Sequence, residues 1–154
     1  MAQFIGTSMT RGFAGMLTRG YYDNTTEVLK NDATTPVKAY GVAVKLNTAK
    51  DGVTPTAATS DAVYGFAVRE YGQAYRDSTG AIVETQDIVT VLKRGYIAVA
   101  LASGTAARGG TVYLNATGGI TAEAGSAPTN TAIPGAVFMG PADADGLVEI
   151  AYNI

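Results

Sequence analysis

Residues 87–101 read DIVTVLKRGYIAVAL, and this stretch decides the fold. Its first part, residues 87–92, is β-branched on both faces, which is typical of a central strand that is buried on both sides. Residues 96–101 form a second run of the same kind, and Lys93-Arg94-Gly95 between the two runs predicts a strand-to-strand turn. The stretch therefore predicts two consecutive strands of an all-β protein.

The same pattern of short apolar runs extends over most of the chain. Residues 39–46 and 62–70 alternate large apolar side chains with small or charged ones, which is the period of a half-buried strand. Further runs lie at residues 26–29, 111–114, 120–123, 136–139 and 147–152. Residues 47–61 and 71–86 are polar or rich in Thr, Ala and Pro, and they predict loops. Short antiparallel strands at this spacing predict a single-domain sandwich or barrel.

The first 24 residues follow neither a helical nor a strand period, although they contain many large apolar side chains and several glycines. This composition is too apolar for a disordered tail. One interpretation is an extended arm that docks on another molecule, and the other is a segment that covers the protein's own core. We therefore divide the chain into an N-terminal arm, residues 1–24, and a β-domain, residues 25–154.

The composition argues against most kinds of catalytic site. The 154 residues include no His and no Cys, so the chain has neither an imidazole base nor a thiolate for catalysis or zinc binding. The net charge is −2 and the Lys and Arg residues are scattered, which argues against nucleic-acid binding. No apolar run approaches the roughly 18 residues of a membrane span. We expect no enzyme, no cofactor, no metal site, no nucleic-acid or membrane partner, and synthesis in the cytoplasm.

Two short motifs deserve comparison with known site chemistry. Asp143-Ala144-Asp145-Gly146 resembles the start of a calcium loop, and a hydrolase that uses the two aspartates is a third-ranked hypothesis. A strand follows at once instead of further ligands, so the motif predicts a hairpin turn. The segment GTAARGG at residues 104–110 lacks the Gly-Lys-Ser/Thr ending of a phosphate-binding loop and also predicts a turn.

Several segments occur in a characteristic order. They are RGFAGM at residues 11–16, VTVLKRG at 89–95, GTVYL at 110–114, NTAIPGAVF at 130–138 and GLVEI at 146–150. This ordered set resembles the structural cement, or head decoration, proteins of tailed bacteriophages. The resemblance implies a small β-rich protein that binds the outside of an icosahedral head, bridges neighbouring major capsid subunits and often forms dimers or trimers. It also implies no catalysis and no cofactor, and in these segments Ile133-Pro134-Gly135 predicts a bend before a strand.

On this interpretation the arm carries the capsid contacts, because an extended segment can add to a sheet edge while its large side chains fill pockets. The candidates in the arm are Arg11, Phe13, Met16, Leu17, Arg19, Tyr21 and Tyr22. A second set of candidates, in and beside the loop at 71–86, is Arg69, Tyr71, Tyr75 and Arg76. The alternative function is a carbohydrate- or host-surface-binding β-module, in which Tyr71 and Tyr75 stack on sugar rings.

Overall fold

A computed structural model describes residues 12–70, 88–125 and 129–154, and these residues form one all-β domain. The strands in these ranges are β1 (Thr25–Asn31), β2 (Ala43–Leu46), β3 (Gly52–Pro55), β4 (Gly65–Ala67), β5 (Ile88–Ser103), β6 (Thr111–Asn115), β7 (Ile120–Thr121), β8 (Asn130–Phe138) and β9 (Leu147–Tyr152). A short 3-10 turn, Tyr21–Asp23, precedes β1. The described residues contain no α-helix, and the all-β class predicted from the sequence is confirmed.

The strands close into two small barrels that share β5. Around the first barrel the order is β1-β3-β2-β4-β5, and β5 pairs with β1 to close the ring. Around the second barrel the order is β5-β7-β6-β8-β9, and β9 closes on β5. The pairs β1–β3 and β5–β7 are parallel, whereas the other pairs of these strands are antiparallel. Of the two predicted architectures, sandwich and barrel, the strands form the barrel, and two of the pairs are parallel although all were expected to be antiparallel.

The long strand β5 runs without interruption through Lys93-Arg94-Gly95, so the turn predicted there is wrong. Gly95 has a φ of 135°, and the register of β5 against β1 shifts between Thr25 and Thr26. Such a bulge bends a strand without ending it. Because of this bend, one strand belongs to both barrels. Residues 88–94 of β5 pair with β1 in the first barrel, and residues 95–100 pair with β9 in the second.

Each barrel has an apolar core, and the two cores meet across β5. The core of the first barrel consists mainly of valines, among them Val44, Val53 and Val91. The core of the second barrel is larger and includes Phe66 from β4 of the first barrel, which is fully buried. The Phe66 ring packs edge to face on Tyr152 of β9, with the ring centroids 5.1 Å apart. The two barrels therefore form a single packing unit.

Two segments that were predicted to lie outside strands are part of them. Residues 47–61, predicted as a surface loop, contain β3, whose first three residues are buried. This strand is only four residues long and ends at a proline, so its sequence shows no clear alternation. Ile133-Pro134-Gly135, predicted as a bend before a strand, lies inside β8. Tyr113 of β6 lies opposite Ala132 of β8, and Thr111 lies opposite Val137, so the residues of β8 between these two pairs form a bulge.

The two barrels repeat the same topology and the same register. In each barrel the first strand is parallel to the third, and the second strand pairs with the third and the fourth. In the parallel pair of the first barrel Asn31 lies opposite Val53. At the corresponding place in the second barrel Leu101 lies opposite Ile120. Each strand from β1 to β5 thus has a counterpart four strands later.

The turn between the second and third strands is also repeated. Asn47 N donates to Gly52 O and Asn115 N donates to Gly119 O, both at 2.9 Å. In both turns the asparagine Oδ1 accepts the N–H of that glycine, at 3.3 Å in the first barrel and 2.8 Å in the second. The sequences are VKLNTAKDGVT at 44–54 and VYLNATGGIT at 112–121, which align with one gap. The chain therefore contains an internal repeat that the sequence analysis missed.

Candidate functional site

The described part of the N-terminal arm pairs with the second half of β5. Leu17 forms an antiparallel bridge with Ile97, and its side chain packs on the core of the second barrel. Ala98 N donates to Met16 O at 2.9 Å, and Gly15 N donates to Ala98 O at 2.7 Å. These contacts of residues 15–17 support the interpretation in which the arm covers the protein's own core.

Beyond this pairing, Tyr21 and Tyr22 form the tip of a short loop that leads into β1. The two side chains are 88% and 96% exposed, and their rings pack edge to face with centroids 5.7 Å apart. Asn24 fixes the base of the loop, because its Nδ2 donates to Gly20 O at 3.0 Å while its Oδ1 accepts the Tyr96 N–H at 2.8 Å. The loop thus presents two solvent-exposed aromatic rings on an anchored backbone.

A buried carboxylate on β9 holds the other end of this loop. Glu149 is 7% exposed, and its Oε1 accepts hydrogen bonds from Thr18 Oγ1 at 2.6 Å and from Arg19 Nε at 2.8 Å. The Arg19 guanidinium also lies 4.7 Å from the centre of the Tyr96 ring. The hydrogen bond to Glu149 and the charge of that carboxylate raise the pKa of Arg19. Arg19, a candidate for capsid binding, is therefore engaged within its own chain.

We expect Arg19→Ala to lower the free energy of unfolding by about 1–3 kcal/mol, because it leaves the buried Glu149 carboxylate without its charged donor. Urea denaturation followed by circular dichroism measures this loss. The matched control is Lys30→Ala, which removes the exposed Lys30–Asp51 pair and should lower the stability clearly less, because exposed ion pairs are screened by water. Equal losses in the two variants would show that Glu149 does not depend on Arg19.

Phe13 and Arg69 bring the two sets of candidates together. The Arg69 guanidinium carbon lies 4.4 Å from the centre of the Phe13 ring, and Arg69 N donates to Gly15 O at 2.8 Å. Phe13 is 57% exposed. Within the described residues Arg69 Nη1 is buried and has no hydrogen-bond partner. The pair therefore joins the arm to the chain that follows β4, with one guanidinium nitrogen that no described residue satisfies.

The remaining candidates differ in how exposed they are and in whether the structure describes them. Met16 and Leu17 are half-buried, in contrast to the exposed rings of the arm. The candidates that lie outside the described residues are Arg11, Tyr71, Tyr75 and Arg76. The carbohydrate-binding alternative depends on two of these tyrosines, and the described residues give it no support.

Sequence reasoning missed Glu149 and Asn24 as parts of this site. Glu149 is the one charged residue in the apolar strand LVEIAY, and a charge at a strand's centre is a signal of a specific partner. Asn24 directly precedes β1, a position where asparagine commonly bonds to nearby backbone groups. Both signals are present in the sequence. The residues to which they bond across the fold, Arg19 for Glu149 and Tyr96 for Asn24, are distant in the chain.

The aspartate motif near the C-terminus forms a turn, as predicted. Asp143 Oδ1 accepts the backbone N–H groups of Asp145 at 3.0 Å and Leu147 at 2.9 Å. Among the described residues no group of three or more His, Cys, Asp or Glu side chains is placed to hold a metal ion. In the same ranges no helix is long and apolar enough to cross a membrane.

Comparison with known proteins gives one family and one fold. A phage family model, described as structural cement protein, matches residues 2–153. No curated protein matches the chain significantly. Among solved structures, a chain from the capsid of Myoviridae Phage XM1 is similar, with a TM-score of 0.70 and 16% sequence identity over 99% of this chain and 98% of that chain. At this identity the structural similarity shows a shared fold.

Proposed function

The chain belongs to the phage family of structural cement proteins, and we propose that it binds the outer surface of the icosahedral head and bridges neighbouring copies of the major capsid protein. The resemblance seen in the sequence is confirmed by the family match, which covers nearly the whole chain. The protein is a structural component of the virion and stabilises its capsid. Our proposal gives it no catalytic role and no cofactor, and it places a homo-oligomer on the head.

The observation that carries the proposed surface is the loop of Tyr21 and Tyr22. Tyrosine is enriched in protein interfaces, where its ring buries a large area and its hydroxyl finds a polar partner. Both rings are almost fully exposed, yet Asn24 fixes the base of their loop. A loop that is already ordered loses little conformational entropy on binding. In this proposal residues 1–24 remain the docking arm, and residues 25–154 form the β-domain that positions it.

Phe13 extends the proposed surface at the other end of the arm. Its ring is exposed on one face and covers Arg69 on the other, where Arg69 Nη1 is buried without a partner in the described residues. Charged residues make up only 16% of the chain. We therefore expect binding to the head to depend mainly on aromatic contacts and to tolerate salt.

We expect the double variant Tyr21→Ser/Tyr22→Ser to bind heads roughly 1,000-fold more weakly, because two buried aromatic residues at an interface commonly contribute about 2 kcal/mol or more each. Co-sedimentation of the purified protein with expanded, undecorated heads measures the affinity. The thermal midpoint should stay that of the wild type, since neither side chain is buried.

The matched control for this test is Ile154→Ser, which removes a 60% exposed apolar side chain at the C-terminus. This control should bind heads as the wild type does. Equal binding by the tyrosine variant and the control would exclude the loop as the contact surface. Failure of the wild-type protein itself to sediment with heads would contradict the proposed function.

A further inference from the structure

Among the described residues, the first barrel has a free strand edge at the place where the second barrel has an occupied one. Asn31 and Leu101 are counterparts in the two parallel pairs, so Val28 and Ala98, each three residues earlier, are counterparts as well. Ala98 is bonded to the arm through both its N–H and its C=O. On the corresponding side of β1, strand β3 pairs only with the last two residues of β1, and no other described group bonds to the edge at Val28.

The backbone groups that are left at this edge belong to Val28. Val28 lies opposite Thr90, and Thr90 O accepts the N–H of Val68, just beyond β4, at 2.8 Å. Both backbone groups of a strand residue point to the same side, so Thr90 turns them toward β4 and away from β1. Val28 and Thr90 are therefore a non-hydrogen-bonded pair. It follows that the N–H and C=O of Val28 both point away from β5, to the free edge.

The outer face of the sheet beside this edge is apolar and exposed. Val28 is 58% exposed and Ile88 is 52% exposed. Ile88 lies opposite Lys30, so Val28 and Ile88 are diagonal neighbours on one face, roughly 7–8 Å apart. Ala98, the counterpart of Val28, is fully buried where the arm lies beside it. An extended segment at the edge of β1 would bury Val28 in the same way.

We propose that the free edge of β1 binds an extended, apolar segment of the major capsid protein, which adds to the first barrel as an antiparallel strand. The N–H and C=O of Val28 bond the segment as those of Ala98 bond the arm. Thr26 C=O accepts a further N–H, as Tyr96 O accepts that of Thr18 at 3.2 Å. This inference rests on the proposed binding to the head and names one contact by which it occurs.

A segment that belongs to a folded subunit fits this edge better than a free arm does. The arm on β5 is held from both sides, because Arg69 N of the first barrel donates to Gly15 O at 2.8 Å. A Cβ atom at Gly41 would lie only 2.6 Å from Gly15 N, so the first barrel is in close contact with the arm. No described residue closes over the edge of β1 in this way. A segment fixed within a capsid subunit loses less conformational entropy on binding to such a one-sided edge.

The free edge also adjoins the loop that we propose as a capsid contact. Tyr22 lies six residues before Val28, and six residues of fully extended chain span roughly 20 Å. An interface of standard size buries about 800 Å² on each partner, which corresponds to a patch roughly 30 Å across. One capsid subunit can therefore contact the tyrosine loop and the edge of β1 together.

Val28→Pro tests the main-chain pairing. Proline removes the N–H that bonds the segment, but it leaves the bonds between β1 and β5 in place, because Val28 makes none of them. Co-sedimentation should show binding to expanded, undecorated heads that is about tenfold weaker or more. The matched control Val28→Ala keeps the N–H and should lose clearly less. Proline and alanine variants that fold, as judged by circular dichroism, and bind heads equally well would overturn the proposal.

Amide hydrogen exchange of the unsubstituted chain tests the same contact independently of how the variants fold. The N–H of Val28 should exchange fast in the free protein and roughly tenfold more slowly or less on heads. The N–H of Glu27, which points toward β5, should be protected in both states and is the internal control. A Val28 amide that is already protected in the free protein would overturn the proposal, because the chain itself or a second copy would then occupy the edge. A Val28 amide that remains unprotected on decorated heads would overturn it too.

Photochemical cross-linking identifies the occupant. With p-benzoylphenylalanine in place of Val28, irradiation of decorated heads should join this chain to the major capsid protein. The control carries the same residue in place of Val137, an exposed site on β8. A capsid adduct no more abundant than in the control, or an adduct between two copies of this chain, would overturn the proposal. Sedimentation with heads is scored separately, so a chain that sediments without the adduct refutes this contact alone, whereas a chain that does not sediment refutes the proposed function.

Discussion

Replacing Phe66 with alanine is expected to lower the free energy of unfolding by about 3–5 kcal/mol, as large-to-small changes of buried aromatic residues do. The Phe66 side chain is fully buried, and it packs edge to face on Tyr152 of the other barrel. A loss of this size is a large part of the roughly 5–15 kcal/mol that stabilises a typical domain. Urea denaturation followed by circular dichroism measures it, and Phe66→Leu, which keeps most of the volume, is the matched control.

The position of Phe66 also makes a prediction about cooperativity. Because its core joins β4 of the first barrel to β9 of the second, both barrels should lose protection together in the alanine variant. Amide hydrogen exchange measures the protection of each barrel separately, because β2 belongs only to the first barrel and β6 only to the second. Protection that is lost from β2 while β6 keeps it would show that the barrels unfold independently.

The class of the fold could be predicted from the sequence because local patterns carry it. Alternation in segments such as residues 39–46 requires a half-buried strand wherever the partner strand lies. The shared strand could not be predicted in this way. Lys93-Arg94-Gly95 has the composition of a turn, and only the register against β1 and β9 shows that Gly95 bends one strand between two barrels.

In the candidate site, too, features that depend on the local sequence could be predicted, whereas contacts between residues far apart in the chain could not. Tyr21 and Tyr22 were predicted as contact residues because large aromatic side chains in an unpatterned segment need a partner, and both are exposed. Arg19 was predicted to face another molecule, but it pairs with Glu149, which lies 130 residues later in the chain. The local sequence contains the donor without any indication of the acceptor. Contacts of this kind depend on the tertiary fold.

Removing residues 1–20 is expected to destabilise the domain by several kcal/mol, and removing residues 1–11 alone, which leaves Leu17, Thr18 and Arg19 in place, is the matched control. The longer deletion removes Leu17 from the core of the second barrel, which costs about 1–2 kcal/mol for a half-buried side chain. It also leaves the buried Glu149 without Thr18 and Arg19, which costs about 1–3 kcal/mol more. Thermal melts of the two truncated proteins compare these expectations.

The two deletions also separate the two roles that we assign to the arm. The shorter one retains the Tyr21–Tyr22 loop and its support by Asn24, so it should still sediment with heads. If the longer deletion melted at the wild-type temperature, the contacts between the arm and β5 would be dispensable for folding. The arm would then serve only to dock on other molecules, as one interpretation of its sequence holds.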